Sequence, residues 1–251
     1  MSEATVVEMS RVGVDAPTGA RVLDGLSFEL EAGSAVALVG PVGSGKTTVL
    51  RLAARLAAPT RGTVFVFGHD VTKLGYEAAR SHAQRIGFVF ESTGLLGNLS
   101  VEANIALPLR YDAPSELVDA RVRHIAQELG IERELAEPSF RANASVRKRA
   151  LFARALVREP ALLLCDEPQV GLTLREATLV RDAVERRRAG GMSVLYADHD
   201  GELAPFLVDR LLYLERGELR ATPSLRPTRT SIVPLPDRAS LPIAAIYGSE
   251  S

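Results

Sequence analysis

The chain has 251 residues, 46% of them hydrophobic, with 30 basic against 31 acidic side chains and a net charge of -1. That is enough apolar material for a substantial core in one large domain or two small ones, and so even a balance excludes bulk nucleic-acid affinity, so no nucleic acid is expected as a partner. With no h-region after the start and no run of about 18 apolar residues, neither a signal peptide nor a membrane span is expected, and the protein reads as cytoplasmic. Val6 to Met9 and Val22 to Leu30 read as strands around the turn signal Asp15-Ala16-Pro17-Thr18-Gly19. Ala35 to Val39 reads as a buried parallel strand, and Val49 to Ala58 as a helix ended by Pro59. Val64 to Phe67 is a strand closed by Gly68-His69-Asp70, Tyr76 to Gln84 a helix, and Ile86 to Phe90 a strand. From about 94 to 160 the pattern turns helical, as an insertion in an α/β core: Val101 to Leu109, then Val118, Val122, Ile125 and Leu129 on one face up to Gly130, then Val146 to Val157. Ala161 to Cys165 is a fully apolar strand, in which the single cysteine is a small buried hydrophobe. A helix from Arg175 to Ala189, a strand over Val194 to Ala197, and a hairpin of Leu211–Leu214 with Glu218–Arg220 complete the domain. The folded domain is thus expected over 1–221, with 222–251 a proline-rich extended or disordered tail.

The stretch Gly40-Pro41-Val42-Gly43-Ser44-Gly45-Lys46-Thr47-Thr48 matches G-x-x-x-x-G-K-[ST] and lies between the Ala35–Val39 strand and a helix. Glycines there let the backbone turn sharply and approach a ligand closely, and the turn aims N–H groups and a helix N-terminus at one point, which suits a polyphosphate. Lys46 would reach the phosphates and Thr47 would bind Mg²⁺. The chain has three lysines, Lys46, Lys73 and Lys148, so a lysine at this position carries some information. Ligands of open α/β sheets bind at the carboxyl ends of strands. Asp166 and Glu167 follow one such strand and His199 another. Asp166 would help hold Mg²⁺, Glu167 would polarise an attacking water, and His199 would contact the γ-phosphate. Alone, Asp166 reads as a helix cap and His199 as a surface loop residue; in this order behind a phosphate loop, the nucleotide reading prevails.

Over roughly Val6 to Arg220 the chain resembles the nucleotide-binding subunits of ABC transporters. The resemblance rests on the phosphate loop, on Leu163-Leu164-Cys165-Asp166-Glu167-Pro168, on His199, and on Arg147-Lys148-Arg149-Ala150-Leu151-Phe152-Ala153-Arg154-Ala155-Leu156, which is similar to the helix after that family's signature. It implies an α/β fold: a RecA-like core with a parallel sheet, a small antiparallel β-subdomain and a helical insertion. It also implies ATP and Mg²⁺ as cofactors, ATP hydrolysis, transmembrane permease partners, a second ATPase chain, and a peripheral place on the inner face of the cell membrane. The surface from Glu91 to Leu96 would dock a coupling helix of the permease. Gly87 to Leu96 followed by Asn104-Ile105-Ala106-Leu107-Pro108-Leu109-Arg110 looks like the Mla/Mce-type ATPases of bacterial lipid transport, although similar runs occur in other ABC systems.

Five positions depart from the family pattern. The Q-loop glutamine is Glu91, taken as a further metal contact; the Leu-Ser-Gly-Gly-Gln signature aligns with Ala142-Asn143-Ala144-Ser145-Val146; and the D-loop aspartate is Thr173. Gln169 follows the proline after Glu167, and Val14 to Pro17 offers no aromatic for adenine. What binds phosphate within the chain survives, and what would serve a partner's nucleotide is altered. The pattern suits one half of an asymmetric heterodimer. A degenerate, low-turnover ATP-binding module is the alternative.

Overall fold

The computed structural model describes residues 5–91, 94–110, 113–199 and 206–220. The 222–251 tail therefore lies outside the described residues, as do Ser92 and Thr93 of the expected docking surface.

Two sheets organise the chain. The first is antiparallel, in the order β2-β1-β4-β5, from β1 (Thr5–Asp15), β2 (Arg21–Glu31), β4 (Arg61–Val66) and β5 (His69–Asp70). β2 alternates exposed and buried positions along Leu26–Glu31, as a strand with one wet face should. The second sheet runs β10-β9-β3-β8-β7-β6, from β3 (Ala35–Val39), β6 (Ile86–Val89), β7 (Leu162–Asp166), β8 (Ser193–Asp198), β9 (Arg210–Glu215) and β10 (Glu218–Arg220). All its pairings are parallel except β9 with β10.

The central strands β3, β7 and β8 are buried at every position, and largely apolar, because both faces are covered. Along β3, Ala35, Ala37 and Val39 join one apolar cluster while Val36 and Leu38 join another. β7 splits the same way, Leu163 and Cys165 against Leu162 and Leu164. The first cluster takes in Ile105 of α3 (Val101–Ala106), Val122 of α4 (Ser115–Glu128), Phe152 of α5 (Ala144–Leu156) and Val180 of α6 (Leu174–Ala189). The second takes in Val49 and Leu50 of α1 (Lys46–Ala53) and the inner face of the antiparallel sheet, including Met9, Leu23 and Val64. The parallel sheet is thus the middle layer, and its carboxyl ends are where β3, β7 and β8 stop side by side. A short helix, α2 (Tyr76–Gln84), precedes β6. Among the described residues no helix is long and apolar enough to cross a membrane.

Several element bounds differ from the sequence expectation. α1 starts at Lys46, because the phosphate loop runs straight into it, and stops at Ala53, well before Pro59. Arg55 takes φ 60° and donates to Val71 O at 2.9 Å and Leu74 O at 3.1 Å, so tertiary bonds end this helix. β1 runs on past Met9 through a bulge at Arg11, φ 49°, whose N–H donates to Ser27 Oγ at 2.8 Å. His69–Asp70 pairs back on β4 across Phe67–Gly68, both with positive φ, the geometry of a tight hairpin turn. α3 ends at Ala106 since Pro108 offers no N–H to continue it. α5 starts two residues earlier than expected, at Ala144 behind an Asn143 cap. β9 forms the expected hairpin with β10 and also pairs in parallel with β3.

Candidate nucleotide site

The phosphate loop is the turn from β3 into α1. Gly40 has φ 155°, and a Cβ there would lie 2.0 Å from Leu214 O on β9. Gly45 has φ 106°, and its Cβ would meet Leu23 Cδ2 at 2.6 Å. Both positions are therefore closed to side chains by the neighbouring strands. Gly43 also has positive φ but faces open space, while Pro41 and Val42 are exposed at the tip and Ser44 is buried. The loop is tied to the β9–β10 turn by Gly217 N–H donating to Ser44 O at 3.2 Å.

α1 begins behind Gly45 with no side-chain cap. Its first-turn N–H groups are left for an anion, and no acidic residue in that turn repels one. Lys46 lies across the loop, its Nζ donating to Gly40 O at 2.7 Å and Pro41 O at 2.9 Å. Burial lowers its pKa, while the charges of Glu167, Asp166 and Asp198 oppose the drop. Thr48 follows, half-buried on α1.

Thr47 Oγ1 donates to Asp166 Oδ2 at 2.9 Å, joining α1 to the end of β7. Burial raises the Asp166 pKa; the Thr47 hydrogen bond opposes this, and the Glu91 charge adds to it. Glu167 sits at φ 48°, its N–H donating to Ala197 O at 2.9 Å. That turns its side chain towards the next strand end, where His199 Nδ1 lies 2.9 Å from Glu167 Oε2. Burial pushes the Glu167 carboxyl up to about 7, with His199 pulling it down and Asp198 pushing it up.

Glu91 stands just after β6, beside this group. It is exposed, its carbonyl accepts a bond from Lys148 Nζ at 3.0 Å, and its carboxylate reaches Asp166 through charge.

Three further residues, to which the sequence alone assigns no role there, lie against the site: Lys148, Asp198 and Gln169. Lys148 is buried on α5 and also donates to Phe90 O and Asp166 O, both at 3.2 Å, so one ammonium joins the ends of β6 and β7. Burial lowers its pKa to about 8 against the pull of the surrounding negative charges. Its count among three lysines was the available signal. Asp198, fully buried, accepts from Gln169 Nε2 at 2.6 Å. Both flank residues already singled out, but their contact depends on strand register.

The segment Ala142–Val146 and the Thr173 turn are bonded within their own chain. Asn143 Oδ1 caps α5 by accepting from Val146 N–H at 2.9 Å, and Ser145 Oγ donates to Glu176 Oε1 at 2.5 Å. Thr173 caps α6 in a capping box with Glu176. The turn at Gly171 packs on Ala144, a Cβ there falling 3.7 Å from Ala144 Cβ.

The sequence profile of the ABC transporter family matches residues 23–170. Over 203 residues the chain is 32% identical to the ABC transporter ATP-binding protein YxdL of Bacillus subtilis, covering 79% of this chain and 78% of that protein. It is 34% identical over 201 residues to the lipoprotein-releasing system ATP-binding protein LolD 2 of Caulobacter vibrioides, covering 79% and 88%. Among solved structures, the dimeric post-hydrolysis state of the ATP-binding cassette MJ0796 bound to ADP and Pi superposes with a TM-score of 0.81 at 26% identity, over 88% of this chain and 99% of that one. A profile spanning more than half the residues and relatives this similar over most of their length make the chain a member of the ABC transporter family, an ATP-binding subunit.

Proposed function

We propose that this chain binds Mg-ATP at the phosphate loop and Asp166, hydrolyses it with Glu167 once a second, different ATPase chain closes over the site, and so drives a membrane permease. The observation that carries this reading is the convergence of Lys46, the Thr47–Asp166 pair and the Glu167–His199 pair at the adjoining carboxyl ends of β3, β7 and β8.

In this reading the uncapped start of α1 and the loop N–H groups from Gly40 to Thr48 bind the phosphates, and Lys46 turns from the loop carbonyls towards them. A hydroxyl beside a carboxylate is an oxygen set suited to a hard cation, so Thr47 and Asp166 would hold Mg²⁺, which supplies positive charge against the phosphates when bound. Glu167 has a pKa near neutrality, where a general base works best, and His199 orients it. Glu91 would modulate this charge from the end of β6.

A partner chain is supported by exposed apolar side chains around the site: Val42 on the loop tip, Phe140 before the signature segment, and Val170 and Leu174 about the Gly171 turn. A permease is supported by an open cleft of 630 Å³ between α2, β6, the end of α3 and α5, lined by Ile86, Phe88 and Pro108 together with Arg80, Arg154 and Arg158. With those partners the chain would sit peripherally on the inner face of the cell membrane. Lipid cargo is the substrate reading we favour, on the Gly87–Arg110 resemblance and the lipoprotein-releasing relative. The Cβ atoms of Ala144 and Ser145 favour, as the second reading, a low-turnover module that holds ATP without hydrolysing much of it.

The test is calorimetric titration of Mg-ATP into the folded chain and into Lys46→Ala. Loss of one charge-assisted contact should weaken binding by about 1–3 kcal/mol. Equal affinities would remove the nucleotide reading.

A further inference from the structure

β7 and β8 run parallel with Asp166 opposite Ala197, so the next residues along, Glu167 and Asp198, emerge side by side, with His199 following. One carboxylate oxygen from each acid and a ring nitrogen of His199 all lie within 4.8 Å of one another. Asp198 is fully buried; Gln169 donates to Oδ1, and Oδ2 has no hydrogen-bond partner among the described residues. A buried carboxylate with a spare oxygen, facing a second carboxylate, calls for a positive charge between them. The Lys46 Nζ donates instead to Gly40 O, Pro41 O and Ser44 Oγ.

We infer that Glu167, Asp198 and His199 form a second divalent-cation site, separate from the Thr47–Asp166 pair, for an ion of the Mn²⁺, Co²⁺ or Zn²⁺ class. Two carboxylates and an imidazole are the donor set those ions prefer, whereas Mg²⁺ and Ca²⁺ favour oxygen alone. The 2.9 Å between His199 Nδ1 and Glu167 Oε2 suits two neighbouring ligands of one ion, each about 2.0–2.2 Å from it. Gln169 holds the buried ligand in place, as the outer partners of metal ligands do. An ion here engages the carboxylate of Glu167. Where Glu167 is the base, a consequence that rests on the function proposed above, the ion would inhibit turnover.

The experiment uses the nucleotide-free full chain and needs no ATPase activity. Co²⁺ is titrated in and followed by visible absorption and calorimetry, with Mg²⁺ in excess. One Co²⁺ per chain is expected, with d–d bands. His199→Gln, whose side chain is half-exposed, and Asp198→Asn, which keeps the shape, should each weaken it by about tenfold or more, with circular dichroism confirming that both fold. Thr47→Ala should bind Co²⁺ like the wild type. A proton shared by the carboxylates in place of a metal gives flat absorption, and adventitious Co²⁺ gives equal affinity in all chains; either result overturns the inference. A chain that takes Co²⁺ here but does not bind Mg-ATP upholds this site and refutes the nucleotide reading.

Discussion

The starts of α1 and α5, to which the proposed function gives a part in nucleotide chemistry, are finished in opposite ways. α1 begins behind a glycine with no side-chain cap, so its donors stay open. α5 begins behind Asn143, whose own oxygen takes the Val146 N–H, and its Ser145 hydroxyl is spent on Glu176. A helix N-terminus attracts an anion only while its N–H groups are unclaimed. Asn143 and Thr173 thus keep the folding role of their positions, starting α5 and α6, while the backbone around Ala144 and Ser145 carries side chains where a partner's phosphate would need close approach. The same fold is maintained at both ends, and the α1 start, unlike the α5 start, has no side-chain cap on its N–H groups.

The contrast breaks most sharply if the α5 start is opened again. The triple change Asn143→Ser, Ala144→Gly, Ser145→Gly should raise ATP turnover of the isolated chain by about 100-fold, the worth of a regained oxyanion donor. It should also cost stability, since each glycine in a helix costs about 1 kcal/mol and the Glu176 bond is lost. Turnover unchanged in a folded triple variant would show that the α5 start does not limit the site. A second change sharpens the open side. Lys148→Met leaves the carbonyls of Phe90, Glu91 and Asp166 without their shared donor, and urea unfolding should report a loss of about 1–3 kcal/mol. A smaller effect belongs to the closed side. Burial alone would raise the Glu176 carboxyl, but bonds from Ser145 and Thr173 and the Arg149 charge hold it at about 2, below its ordinary 4.5. Its contribution is therefore present above pH 4.5 and fades as pH falls towards 2. The side chain is partly solvated, so the amount is about 1 kcal/mol at most. Melting temperatures of wild type and Glu176→Gln should converge across that window; a constant gap would exclude the carboxylate as the cause.

The open side was legible in the sequence because its chemistry is local. Gly40 to Thr48 carry the loop in consecutive residues, and the apolar runs at 35–39 and 161–165 announce strands buried on both faces. The layered α/β plan followed from those runs. Less legible were features set by distant contacts. Arg55 ends α1 through carbonyls at Val71 and Leu74, and the Arg11 bulge lengthens β1 in a way no alternation pattern records. Lys148, Gln169 and Asp198 join the site only through strand ends that register brings together. The hydrogen bond from Lys148 to the Glu91 carbonyl is another contact that depends on distant residues meeting.

The central claim is that this chain contributes the working residues of one site and the poor lid of the other. It is tested most directly by ATP turnover of the complex purified with its native partners, with Glu167→Gln here and then with the corresponding glutamate of the second ATPase chain replaced. The account predicts a lopsided result: Glu167→Gln should lower turnover by about 100-fold or more, the range for loss of a general base, and the partner's change by less than about tenfold. Equal losses from the two changes, or an isolated wild-type chain that already turns over about ten times per second, would contradict it.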